Sequence, residues 1–275
     1  MAVKIKKCIK KVAFALLVLA IVVPVLFPLY FVLISSFKNM AQVYIMPPKL
    51  FGFKPILDNY IYIFKTQHYG TYIWNSAVVA IASTALSLLL GVPAAYSIAR
   101  YKMGKASTAI LTARLLPNIS LLLPYYFIFS KLQMIDTYGV LILSHMVLSL
   151  PLIVWIMVGF FQDIPIELEE AAIVDGCTRQ RCFLDVLLPV STPGLVTCST
   201  LAFLGSWNNF QFALILSGEK TRTLPVSLQY FVSGADIRWG RMLAATIVVI
   251  IPTIILTMAL QKFIVQGMTA GAVKG

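Results

Sequence analysis

IPIELEEAAIVDGCTRQRCFLDVLLPVSTP, residues 164–193, interrupts an otherwise apolar pattern, and its reading decides how the flanking sequence folds. The segment is polar, helix-competent and punctuated at both ends. Pro165 suits a first helical turn, where its missing amide hydrogen costs nothing, and Asp163, Glu167, Glu169 and Glu170 put negative charge near the positive end of the helix dipole. Gly176 supplies a left-handed residue that ends the helix and turns the chain. Leu168, Ala171, Ala172 and Asp175 fall at i, i+3, i+4 and i+7, which predicts a narrow face of mostly small residues. Such a face can enter a cleft too tight for leucines. Taken alone, the same short helix could equally cap a bundle.

Working outward, the 275 residues are 60% hydrophobic and 12% charged, a balance that suits a bilayer rather than a water-solvated globule. A helix needs about 20 mostly apolar residues to cross ~30 Å of hydrocarbon. Stretches of that length run near residues 12–36, 73–98, 107–130, 138–161, 186–216 and 242–265, so the expected fold is an all-α membrane protein of about six spans. The fifth stretch is long enough to tilt or break, and Pro189 and Pro193 predict a bend near its start.

Lys4, Lys6, Lys7, Lys10 and Lys11 precede the first stretch as they would a secretory signal. The apolar run is too long for a signal core and no small-residue cleavage site follows, which predicts an uncleaved span. By the positive-inside rule the basic start is cytoplasmic. Counting spans then puts the 99–106 loop, with Arg100, Lys102 and Lys105, the 162–185 loop and the C-terminus on the same side. The net charge of +12 is scattered over span ends and loops with no stripe of interleaved aromatics, so it reads as anchoring beside anionic headgroups and not as a nucleic-acid surface. Cys8, Cys177 and Cys182 would be cytoplasmic and Cys198 intramembrane, leaving no cysteine on the oxidising side. Neither the cysteine spacing nor His68 and His145 suggests a metal site; all are read as packing residues.

Between the first and second spans, LDNYIYIFKTQHYGTY mixes aromatics with polar residues and suits an interfacial helix or turn, a lid over the outer span ends. Ala77, Ala80, Ala82, Ser83, Ala85, Gly91, Ala94, Ala95 and Ser97 predict close helix packing, since lipid offers no hydrophobic reason for helices to associate. Arg114 is the one ionisable side chain well inside an expected span, where snorkelling to the interface is the simplest outcome.

Catalysis and energy supply are missing from this sequence. There is no G-x-x-x-x-G-K-[ST] phosphate loop, Gly104-Lys105 being followed by Ala106, and Asp and Glu are confined to loops and span ends. Polar groups suited to hold a polar solute in the membrane are Asn118, Ser120 and Tyr125 in the third span and Trp207, Asn208, Asn209 and Gln211 in the fifth; interhelical bonding is the alternative use of each amide.

The run Glu170-Ala171-Ala172, then Asp175-Gly176, then Leu188-Pro189 resembles the EAA loop of permeases from ATP-binding-cassette (ABC) importers. Asn59-Tyr60, Asn75-Ser76, Ala95-Tyr96, Pro124-Tyr125, Asp136-Thr137-Tyr138-Gly139, Trp207-Asn208 and the terminal Gly271-Ala272-Val273-Lys274-Gly275 are similar to the carbohydrate-uptake branch, the type of the smaller maltose permease. Cys177, Arg179 and Arg181 depart from the small or aromatic residues usual there.

The resemblance implies the type I importer permease fold: one transmembrane domain over 1–275, with its core at 72–265 and a coupling loop at 162–185. Glu170, Ala171, Ala172, Asp175, Gly176, Leu188 and Pro189 would couple to a cytoplasmic ATPase, and Gly271 to Gly275 would reach it. Implied partners are a second homologous permease, two ATPase subunits that use ATP and magnesium, and an extracytoplasmic sugar-binding protein facing the 217–241 loop with Arg222 and Asp236. The chain itself would bind no cofactor or metal and catalyse nothing, and it would sit in a bacterial or archaeal cytoplasmic membrane. A permease for another solute, or an ion-coupled carrier, are the alternatives.

Overall fold

The computed structural model describes residues 2–233 and 236–269. Along the chain, its principal helices are α1 (Ala2–Ser36), α2 (Asp58–Lys65), α3 (Tyr69–Arg100), α4 (Gly104–Arg114), α5 (Asn118–Lys131), α6 (Tyr138–Asp163), α7 (Glu167–Val174), α8 (Thr192–Trp207), α9 (Gln211–Leu216) and α10 (Trp239–Thr269). Among the described residues, four helices are long and apolar enough to cross a membrane, Lys10–Ser36, Tyr69–Arg100, Tyr138–Asp163 and Trp239–Gln261. Two bent pairs raise the number to six if each counts as one span.

Both bends sit at prolines. Arg179–Val190 meets α8 at 77°, with Pro189 and Pro193 on either side of the corner, as the sequence predicted. The third apolar stretch, read as one span, is a bent pair in which α4 and α5 meet at 90°. Pro117, which lacks an amide hydrogen and disfavours a helical residue before it, occupies that corner. Arg114 consequently stands at the corner and not midway along a straight helix. It is the exposed last residue of α4, its guanidinium 5.6 Å from the Trp155 ring centre.

The chain divides into two compact units. In the first, residues 1–69 and 228–250, the C-terminal end of α1 is clasped by α2. Asn59 Nδ2 donates to Ser36 O at 2.8 Å and Lys38 O at 2.9 Å, and Ser36 Oγ lies 2.7 Å from Tyr60 Oη. Gly240 at the start of α10 fits against this clasp, since a Cβ there would lie 2.8 Å from Asn59 Nδ2. Lys38 is buried, donates to Lys49 O at 2.6 Å and lies 4.7 Å over Phe53, and burial lowers its pKa. The helix or turn expected between the first two spans is formed as α2.

The second unit, residues 70–227 and 251–275, is organised around α6. One apolar cluster gathers Val92, Ala95, Ile153, Met157, Phe161, Leu187, Cys198 and Ala202; a second gathers Val79, Leu122, Val140, Leu141, Phe212 and Val226. Small residues set the approach distances. A Cβ on Gly91 would lie 3.0 Å from Ile153 Cγ2, and one on Gly194 would lie 2.6 Å from Phe160 Cγ. Of the small residues expected to pack, Ala80, Ser83, Gly91 and Ala95 are buried, Ala77, Ala82, Ala94 and Ser97 are partly so, and Ala85 is exposed.

The loop after α9 is stitched down by Asp136. Its carboxylate accepts from Gly218 N at 2.8 Å, Thr221 N at 2.9 Å, Thr221 Oγ1 at 2.8 Å and Lys220 N at 3.2 Å. Asn75 Nδ2 donates to Lys220 O and Arg222 O, and Tyr138 Oη donates to Asn75 Oδ1 at 2.7 Å.

Candidate functional site

The segment 164–193 folds as two short helices at the end of α6. Pro165 lies just before α7, where its carbonyl accepts from Leu168 N at 3.4 Å, and Glu169 N is satisfied by Ile166 O at 2.9 Å. Glu167, Glu169 and Glu170 occupy the first turn, on the positive end of the dipole. Gly176 has φ +90°, its N–H bonds Ile173 O at 3.0 Å, and Cys177 N bonds Ala172 O at 3.0 Å. Nothing lies within 4 Å of where a Cβ would stand, so backbone conformation and not crowding requires glycine there. Thr178 Oγ1 then caps the next turn through Arg181 N at 3.3 Å.

The face read from spacing is split by the structure. Ala172 turns inward and is 8% exposed, while Leu168, Ala171 and Asp175 remain outside. The inward face of α7 is Glu169 and Ala172, one turn apart, and the outward one carries Ile173 and Val174, the latter 86% exposed. Glu170 and Gly176 are also exposed, Leu188 is half-buried and Pro189 exposed. Spacing alone could not assign the faces, because α7 is nearly as apolar outside as inside.

Glu169 is the residue that the sequence did not mark out. Its carboxylate pairs with Arg100 Nε and accepts from Tyr96 Oη at 3.0 Å. Arg100 Nη2 also donates to Ile164 O at 3.2 Å, and Arg179 Nη1 donates to Tyr101 Oη at 2.8 Å. Behind the ion pair, Tyr96 packs on Phe161 and on Phe183, centroids 5.7 and 5.1 Å apart. The helix α7 is thus fixed to the last turn of α3 by charge, and the same turn of α3 is packed by Tyr96 on Phe161 of α6 and on Phe183 beyond α7. Beyond it, Cys182–Leu187 is a π-helix and Leu188–Val190 leads to the corner at Ser191.

The candidates for solute contact are only partly brought together. Asn118 and Asn209 line one cavity of about 160 Å³, together with His145, Ser149 and Ser206. Tyr125 instead packs edge-on against Phe212 at 5.5 Å, and Trp207 is buried and stacked on Phe203 at 5.9 Å. Asn208 Oδ1 accepts from Thr253 Oγ1 at 3.4 Å, the helix-to-helix use of an amide, and Ser120 and Gln211 are exposed. His145 was read as a packing residue. It is 1% exposed, its Nδ1 lies 2.7 Å from Ser206 Oγ, and Nε2 has no hydrogen-bond partner. The tail 271–275 lies outside the described residues.

Residues 87–270 match the family described as "Binding-protein-dependent transport system inner membrane component". The chain belongs to that family. Among curated relatives of this permease family, the sulfoquinovosyl glycerol transport system permease protein SmoH of Agrobacterium fabrum is 37% identical over 254 residues, covering 91% of this chain and 89% of SmoH. The trehalose/maltose transport system permease protein MalG of Thermococcus litoralis is 33% identical over 258 residues, covering 91% and 92%. The fold matches a permease chain in the crystal structure of a bacterial ABC transporter that imports alginate, with a TM-score of 0.78, 19% identity and coverage of 94% and 97%. Family and helices together make the chain an integral membrane transport permease with the importer-permease fold.

Proposed function

We propose that this permease is one transmembrane half of an ATP-driven carbohydrate importer and performs no bond chemistry of its own. The observation that carries the coupling role is the construction of α7: an exposed Ile173-Val174 edge on a helix whose opposite side is tied to Arg100 and Tyr96. A partner that grips the outside of such a helix moves the ends of α3 and α6. Glu170, Ala171, Asp175 and Gly176, with Leu188 and Pro189 behind them, are the coupling residues; Ala172 supports them from beneath. Residues 271–275 reach the same partner.

Carbohydrate is favoured as cargo by the transport systems to which relatives belong, the two above and the trehalose transport system permease protein SugB of Mycobacterium tuberculosis, 34% identical over 256 residues. The assembly that follows has a second homologous permease, two ATPase subunits using ATP and magnesium, and an extracytoplasmic sugar-binding protein. The loop 162–185 and both termini are then cytoplasmic.

The test is Gly176→Asp in the assembled complex. The variant is expected in the membrane at normal levels with substrate-stimulated ATP hydrolysis abolished, because the acid strains the φ +90° backbone and alters the outward surface. Normal coupling in that variant overturns the assignment.

A further inference from the structure

The cavity beside His145 lies within the second unit and is walled by α6 and α8, with Asn118 and Asn209 at its margin. Ser83 Oγ donates to Ser206 Oγ at 3.1 Å, and Ser206 Oγ is 2.7 Å from His145 Nδ1. Ser83 Oγ has one hydrogen for two acceptors, Ser206 Oγ and Ala80 O at 3.3 Å; given to Ser206, it frees the Ser206 hydrogen for Nδ1 and puts the imidazole hydrogen on Nε2. That leaves a donor with no partner on a residue 1% exposed, in a helix otherwise satisfied. A buried packing histidine would have both nitrogens engaged. Asn209 Oδ1 is used by Phe212 N at 3.1 Å, so its amide NH₂ is the group remaining for a ligand.

The remaining lining is Leu148, Leu152, Leu201, Ala202 and Gly205, apolar walls without a charged side chain. The space of about 160 Å³ is smaller than the roughly 300–1,000 Å³ of a site that engulfs a whole small molecule. We infer that this cavity is a hydroxyl-recognition pocket that takes one edge of a neutral sugar ring, with His145 Nε2–H and the Asn118 and Asn209 amides meeting adjacent hydroxyls and the leucines meeting the ring's C–H face. The pocket rests on the carbohydrate reading above and deepens it: this half of the passage itself reads the cargo. An anionic group has no counter-charge here and is excluded.

His68 and His145 are the only histidines in the sequence, which permits a direct test. The full chain, labelled with nitrogen-15 histidine in lipid nanodiscs, is titrated with trehalose, maltose, diacetylchitobiose and, as controls, glycerol and sorbitol; a His68→Gln sample assigns the signals. At least one saccharide is expected to move the His145 Nε2 resonance while His68 stays still. In the assembled complex, His145→Asn keeps an acceptor for Ser206 and removes the far edge of the ring. It is expected to raise KM for the imported saccharide about two- to tenfold, the scale of one hydrogen bond, with kcat retained.

Silence of His145 toward all three saccharides overturns the pocket, as does an equal response to glycerol or sorbitol, which marks adventitious polyol binding only. An unchanged KM in His145→Asn with loss of folded protein in Ser206→Ala also overturns it, leaving a structural relay. A shift at His145 in a chain whose complex imports no saccharide would spare the pocket and sink the importer reading instead.

Discussion

Glu169 and Arg100 stand 69 positions apart and meet as an ion pair whose side chains are only 11% and 12% exposed. Tyr96 completes the arrangement from the same helix as Arg100. Removing one member leaves an almost buried charge behind, a situation that costs roughly 3–5 kcal/mol. Glu169→Ala is therefore expected to lower the thermal unfolding midpoint of the solubilised protein and to uncouple ATP hydrolysis from transport. Glu169→Gln, which keeps an acceptor for Tyr96, should retain more of both. Equal midpoints for the two variants and the parent would show that the pair contributes nothing.

Gly176 separates conformation from contact. Its positive φ penalises any side chain, by about 1–2 kcal/mol for an ordinary residue and less for asparagine. The expected order of stability is Gly176, then Asn, then Ala, then Val, measured by denaturant unfolding of the full chain. Because nothing crowds the Cβ, size alone should not set the order, and a series ranked by side-chain volume would contradict the backbone account.

Gly194 gives the opposite case. A methyl group there meets the Phe160 ring at 2.6 Å, and overpacking of this kind costs about 1–3 kcal/mol. Gly194→Ala should reduce stability, and adding Phe160→Leu should restore part of the loss. A double variant no better than the single one would place the strain elsewhere.

Asp136 lies in a loop outside the spans and sets an acid limit. Burial opposes its ionisation, but the hydrogen bonds from Thr221, Lys220 and Gly218 outweigh that and hold its carboxyl below the usual 3.8. A depressed folded-state pKa contributes stability that is present above the unfolded value and lost as pH falls through the folded one. The loop 217–221 should thus stay protected from hydrogen exchange at pH 5 and open well below pH 4. Asp136→Asn, worth about 1–2 kcal/mol after allowance for solvent at this half-exposed site, should open it at neutral pH and flatten the acid response. A parent-like acid response in the variant would assign the opening to other groups.

What could be read in advance follows the range of the forces. Apolar runs located the four long apolar helices and both bent pairs, because the bilayer requirement acts on consecutive residues, and Gly176 was legible because a left-handed turn is a local demand. The corner at Pro117 was hidden by the apolar residues on both sides, which look alike whether the helix continues or folds over. Ala172 was assigned to the wrong side, since its partners come from residues far away in sequence. The same holds for Glu169 with Arg100 and for His145 with Ser206, 61 positions apart: each looked solitary in the sequence and acquires meaning only through a distant helix.

Between α7 and α8, the six residues Cys182–Leu187 form a π-helix, whose hydrogen bonds each enclose one residue more than those of an α-helix. Taking up or letting out a single residue there rotates one flank against the other by about 100°, the angular step of an ordinary helix. Were α7 the gripped helix proposed above, a pull on it would reach α8 as twist as well as thrust, where a rigid rod would merely slide.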